Sequence, residues 1–143
     1  MTRVEIAGED FLIDGRPTYE GREWRGGRIE GLLLNSRMVQ ATFDDLNPET
    51  RGQWAYPDTG EWDPERNLAE FLAMLPEYRR HGLLAATVNL QGGSPEGYSK
   101  AQPWDNSGFD PDGSPRPPFF DRLRRVLDGL TRLLEAAHAG RGA

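Results

Sequence analysis

Residues 83–134 read LLAATVNLQGGSPEGYSKAQPWDNSGFDPDGSPRPPFFDRLRRVLDGLTRLL. An apolar run from Leu83 ends in Asn89, Leu90, Gln91, Gly92 and Gly93. The run lacks polar alternation, as expected of a parallel strand covered on both faces. A long loop rich in aromatic and amide side chains follows. Pro117-Pro118 then opens a stretch in which Phe120, Leu123, Leu127, Leu130, Leu134 and Ala137 recur at three- or four-residue spacing, which predicts an amphipathic helix. Strand, decorated loop and helix together predict an α/β protein, and in such proteins binding residues gather on loops at the carboxyl ends of the strands.

Upstream, the same plan recurs. Leu32-Leu33-Leu34 is a second continuous apolar run, predicted to be a buried strand within 29–43, with Asn35, Ser36 and Arg37 at its carboxyl end. Asp63 suits a helix N-cap and Pro64 the first helical position. Leu68, Phe71, Leu72 and Leu75 continue at helical spacing. Pro76 is expected to end or kink that helix. Residues 77–81 then form a short second piece, stopped by Gly82. Two strands joined by this helix make a right-handed βαβ unit. Before it, Asp14-Gly15 lies between Phe11-Leu12-Ile13 and Pro17-Thr18-Tyr19, a strong hairpin signal. Gly21 to Gly27 reads as a plain Gly- and Arg-rich connection.

The chain has 143 residues, enough for one domain with a real core. Only 36% are hydrophobic and mean hydropathy is −0.71, so the apolar residues must concentrate in the few elements above. A formal charge of −6 argues against a nucleic-acid partner, which needs a basic face. Arg116, Arg122, Arg124, Arg125 and Arg132 mark the last helix and read as its solvated face. The absence of cysteine excludes disulfides and Cys-based metal or redox sites and fits a reducing, cytoplasmic location. No signal-peptide-like segment is visible at MTRVEIAGEDFLIDG, and no apolar run is long enough to suggest a membrane partner.

Four constellations could carry chemistry. Asn89 and Gln91, with glycines behind them, can give and take hydrogen bonds as sugar hydroxyls require, or simply satisfy loop backbone. Tyr98, Trp104 and Phe109, interleaved with Gln102, Asp105 and Asn106, could stack on sugar faces or form a small core that pins the loop; Phe109 is assigned to the core. Arg37 lies near Gln40, Asp44 and Asp45, and could bind a substrate oxygen or orient Asp44. The loop 44–62 holds Trp54, Tyr56 and Trp62, which argue against disorder. Its acidic continuation, Asp58, Glu61, Asp63 and Glu65, has the ligand type for Ca²⁺ but no EF-hand spacing, and reads as capping and solvated charge. His81 and His138 are isolated and read as structural. No P-loop, dinucleotide fingerprint, nucleophile elbow or zinc-protease motif is present, so no cofactor is expected.

Several segments together resemble the clan-A, cellulase-like glycoside hydrolases. FLIDGRPTYEGREW resembles the short hairpin preceding their barrel, and EGLLLNSRMV their first strand. NLAEFLAMLPEYRRHGLLAATVNLQGG resembles their first helix and second strand, and QPWDNSGFDPDGSPRPPFFDRLRRVLDGLTRLL their second loop and helix. The resemblance implies an α/β chain consisting of an N-terminal β-hairpin and the first two βα units of a (β/α)8 (TIM) barrel, truncated after them. The boundaries expected are 1–28 for hairpin and connection, 29–139 for the partial barrel, and 140–143 for a frayed tail.

It also implies a hydrolase-like role in carbohydrate metabolism. Those enzymes act through two carboxylates, carried in the family on the fourth and seventh strands. No residue here matches either, so no catalytic residue is assigned and hydrolysis by this chain alone is not expected. The residues expected to touch carbohydrate are Arg37, Asn89, Gln91, Trp104 and Asn106. The rival readings are a non-catalytic carbohydrate-binding module using Trp54, Trp62, Tyr98 and Trp104, and a fragment that self-associates through exposed strand edges.

Overall fold

Asp14 and Gly15 both take left-handed backbone, φ 52° and 77°, as a two-residue type I′ hairpin requires. A computed structural model of the chain describes residues 2–92 and 103–139, and there the Asp14-Gly15 turn joins β2 (Asp10–Ile13) to β3 (Arg16–Pro17). An earlier strand, β1 (Val4–Ala7), completes a three-stranded antiparallel sheet. The stretch read as a plain connection holds a second hairpin, β4 (Glu23–Trp24) and β5 (Gly27–Arg28). Its turn repeats the same device, with Arg25 at φ 49° and Gly26 at φ 78°.

The expected βαβ unit is present. Strands β6 (Asn35–Arg37) and β7 (Ala85–Thr87) pair in parallel, Asn35 opposite Ala85 and Arg37 opposite Thr87, with α1 (Pro64–Arg80) between them in sequence. The predicted first strand is displaced. Pairing falls on Asn35–Arg37, and Leu32 and Leu34 are 46% and 53% exposed. The cause lies earlier in the chain. Gly31 N donates to Thr18 O, and the Thr18 hydroxyl donates to Leu32 O, so the backbone before β6 is drawn to the N-terminal sheet. The second strand is shorter than its apolar run, and its residues are half-buried or exposed rather than covered on both faces.

A two-stranded antiparallel pair follows, β8 (Gln91–Gly92) with β9 (Asn106–Ser107), and α2 (Pro117–Ala139) completes the order. The described residues form a mixed α/β arrangement of four small sheets, none of them closed into a barrel.

Asp63 caps α1 as its sequence predicts: Oδ1 accepts from Glu65 N at 2.9 Å and Arg66 N at 3.1 Å. Pro76 does not end the helix, which runs unbroken to Arg80. Packing outweighs the lost donor here, because Leu68, Phe71 and Leu75 are all buried in a hydrophobic core. Gly82, at φ 93°, stops it. The rest of that core is Met38 and Ala41, beyond β6, and Val126 of α2.

The buried face of α2 is not the predicted stripe. Phe119, Arg122 and Val126 are buried, while Leu127 is 52% exposed. Gly129 explains the rotation. A Cβ there would lie 2.6 Å from Leu72 Cδ2, so α1 approaches α2 along the glycine edge. Arg122, read as solvated, is only 4% exposed; Arg124, Arg125 and Arg132 are exposed as expected. The side chains of Leu134, Ala137 and His138, and residues 140–143, lie outside the described residues.

Candidate functional site

The loops that leave β6 and β7 are sewn together by one carboxylate. Asp45 is 0% exposed. Its Oδ2 accepts from the Thr50 hydroxyl at 2.6 Å and Trp54 Nε1 at 2.9 Å; its Oδ1 accepts from Asn47 N at 2.9 Å and Asp105 N at 3.0 Å. Burial by itself would raise this carboxyl. The bonds from Thr50, the Asp105 and Asn47 amides and Trp54 outweigh that and hold it below the ordinary carboxylate range. Leu46 N donates to Asp105 O, and Asn47 Nδ2 to Pro103 O, across the same seam.

Aromatic rings close over the seam. Phe43 meets Trp54 edge-on at 4.9 Å and Trp62 at 5.5 Å, and Trp54 meets Trp104 at 5.6 Å. Tyr56 stacks on Trp62 at 5.8 Å. Much of the aromatic surface is therefore spent on ring-to-ring packing, as a small core would spend it. Phe109 packs on Phe120 at 5.4 Å, in keeping with its assignment to such a core.

Beside this seam is a cleft of about 250 Å³, lined by Asp44, Asn106, Ser107, Asp110, Arg116 and Arg122 among others. It is built from residues that follow β6 and β7 in the chain, together with the first turns of α2. Asp44 Oδ1 accepts from Arg51 Nη1 at 2.8 Å and Trp62 Nε1 at 3.2 Å, and its Oδ2 lies 3.7 Å from Arg122 Nη2. Asp44 N donates to Asn106 Oδ1 at 3.1 Å. Asn106 is 1% exposed, and among the described residues its Nδ2 has no hydrogen-bond partner. Arg116 pairs with Asp110 at 2.7 Å and approaches Asp105 at 3.6 Å. Arg122 reaches Thr42 O at 3.4 Å and Glu65 at 4.0 Å.

Of the residues expected to touch ligand, Asn106 lines this cleft and Trp104 belongs to the aromatic group beside it; Arg37 and Asn89 do not line it. Arg37 is exposed on β6, and the partners of Asp44 are Arg51, Trp62 and Arg122 rather than Arg37. The side chains of Gln40 and Gln91, together with Gly93, Tyr98 and Gln102, lie outside the described residues. Among the charged residues that the sequence pattern hides, Arg122 is the most deeply buried in the cleft wall. Its signal was its place between Phe119 and Val126, three residues after one and four before the other, on the face that is buried.

The acidic loop behaves as capping and surface charge. Asp58 takes a bidentate contact from Arg66, at 2.8 and 2.9 Å, and Asp63 is the N-cap. Among the described residues no group of three or more His, Asp or Glu could hold a metal ion. His81 contacts Glu77 at 2.8 Å at the end of α1.

Gly108 directly follows β9, packs against the segment that leads into α2, and admits no side chain. Its N donates to Leu90 O and its carbonyl accepts from Arg116 N, both at 2.8 Å. A Cβ would lie 2.7 Å from Leu90 O and 3.0 Å from Phe119 Cδ1. Gly108→Ala is therefore expected to destabilise by about 1–3 kcal/mol through overpacking. A thermal melt checks it; an unchanged midpoint would show that the β9–α2 junction yields.

Among the described residues no helix is long and apolar enough to cross a membrane. No protein-family model matches the chain, and neither a curated protein nor a solved structure matches it.

Proposed function

We propose that the chain is the N-terminal part of a barrel-type, glycoside-hydrolase-like protein, working in the cytoplasm, whose strand-end loops bind carbohydrate without hydrolysing it alone. The order β6–α1–β7–α2 fits two βα units of such a barrel. The observation that carries the binding reading is the cleft built from the segments after β6 and β7, with Asn106 in its wall and the donor of that amide buried and unmet among the described residues. Ligands of open α/β sheets are found at that end. The nearby tryptophans provide a rim and also a reporter.

The same geometry argues against hydrolysis. Glycosidases flank the scissile bond with two working carboxylates. Here Asp45 is closed off by four donors, Asp110 is paired with Arg116, and Asp44 already holds Arg51 and Trp62.

Tryptophan fluorescence during titration with millimolar oligosaccharides is expected to shift and saturate, while aryl glycosides stay intact. Emission that never changes would reject carbohydrate binding; robust glycoside turnover would reject the non-catalytic assignment.

A second reading is self-association. Two three-residue parallel strands make a small sheet with open edges among the described residues, and Leu32 and Leu34 stand exposed beside it. Light scattering after size exclusion separates the two: a concentration-dependent dimer supports this reading, and a strict monomer removes it.

A further inference from the structure

We infer that Asp44 and Asn106 together read a vicinal diol of a neutral sugar, the amide donating to one hydroxyl oxygen and the carboxylate accepting the proton of the next. This rests on the carbohydrate reading above and specifies its recognition element.

The orientation of the Asn106 amide follows from its neighbour. A main-chain N–H can donate only to an oxygen, and Asp44 N meets Oδ1 at 3.1 Å. Nδ2 is therefore the atom left over, with two N–H groups, buried and without a partner among the described residues. An unmet donor at this depth is costly to folding, and native structures rarely keep one without a reason. Asp44 supplies the complement. Its Oδ1 is engaged by Arg51 and Trp62, but among the described residues its Oδ2 has only Arg122 at 3.7 Å, beyond hydrogen-bond length. Oδ2 thus keeps acceptor capacity. Both residues line one cleft, and the 3.1 Å backbone bond holds them side by side.

An adjacent donor and acceptor match a group that presents an acceptor and a donor on neighbouring atoms. Two adjacent hydroxyls do so. Charge selects among the alternatives. An anion would face Asp44 and Asp110, and a cation would face Arg116 and Arg122, all lining the same cleft. Their pairing leaves the cleft close to neutral, and Leu46, Pro117, Pro118 and Phe119 give it an apolar wall on which the face of a sugar ring can pack while its hydroxyls meet the polar side. A carboxamide also offers a donor beside an acceptor, and it is the rival that the test must separate.

The probes are the methyl glycosides of glucose, mannose and galactose, each with its 3-deoxy analogue, which keeps no pair of adjacent secondary hydroxyls. Acetamide is the rival probe. The readouts are the Asn106 side-chain amide and tryptophan indole signals in nitrogen-edited NMR of the whole chain. At least one parent glycoside is expected to move the Asn106 amide, with affinity falling about 10- to 100-fold in its 3-deoxy analogue, as when a buried polar group is left unpaired. Asn106→Asp keeps the oxygen that serves Asp44 N and replaces the donor by an acceptor. It is expected to lose binding by a similar factor while melting as a folded protein. Should that variant not fold, the deoxy series on the natural chain decides alone.

If parent and 3-deoxy glycosides shift the indoles with equal affinity, the diol inference is overturned and carbohydrate binding stands. If acetamide moves the Asn106 amide and no glycoside does, the cleft reads a carboxamide and both fall. If no sugar moves any signal, both also fall.

Discussion

Asp45→Ala is expected to destabilise the chain by about 3–5 kcal/mol, because it strips the acceptor from several buried donors at once. Thr50, Trp54 and the amides of Asn47 and Asp105 all point at this carboxylate, and no water reaches it from outside, since Asp45 is 0% exposed. Such a loss is a large share of the about 5–15 kcal/mol that holds a typical domain together. At about 3 °C per kcal/mol for a chain of this size, the melting midpoint should fall by about 10–15 °C. A fall of under about 3 °C would mean that the loops after β6 and β7 are held by their rings rather than by the carboxylate.

The pH profile offers an independent check. The folded Asp45 carboxyl titrates below its unfolded value, the four hydrogen bonds outweighing burial. Its contribution is therefore complete above an unfolded pKa of about 3.9 and is lost as pH falls through the lower folded value. Asp45→Asn should be less stable than the natural chain at neutral pH and approach it in acid. Parallel stability curves from neutral pH into acid would contradict the assignment.

Local chemistry was legible in the sequence where a few adjacent residues decide it. Asp14-Gly15, Asp63-Pro64 and Gly82 each occupy the turn, cap or stop that their backbone preferences demand. What depends on distant partners was not. The pairing register of β6 is set by Thr18, whose hydroxyl and carbonyl bind the backbone at Leu32 and Gly31 and shift the strand to Asn35–Arg37. In α2 the apolar residues wrap so far around the helix that two stripes compete. The close approach at Gly129 decides between them, and that depends on Leu72 of another helix. The site follows the same division. Asn106 was legible as an amide on a strand-end loop. Asp45 was not legible as the clasp, because one of its donors is the amide of Asp105, sixty residues away in the chain. Arg122 was hidden by the ordinary expectation that arginines on a helix are solvated.

Phe119 and Arg122 lie one turn apart on the buried face of α2, and their substitutions are expected to differ sharply. Phe119 is 2% exposed, and its ring packs on Phe120 and against Gly108. Phe119→Ala removes that contact and leaves a hole, at a cost of about 3–5 kcal/mol. Arg122 is nearly as buried but poorly held, at 3.7 Å from Asp44, 4.0 Å from Glu65 and 3.4 Å from Thr42 O. Removing one partner of a buried ion pair is costly only when the other is left alone. Here Asp44 keeps Arg51 at 2.8 Å, and Glu65 keeps Arg125. Methionine can follow the same path with a flexible apolar chain. Arg122→Met is therefore expected to leave stability unchanged or raise it by up to about 2 kcal/mol. If folding does not require this cation in the wall of the cleft, a role toward a ligand accounts for it. The variant should accordingly melt no lower than the natural chain and lose the sugar-dependent tryptophan signal. If Arg122→Met instead costs as much as Phe119→Ala, the guanidinium serves the fold, and its place in ligand binding has no support.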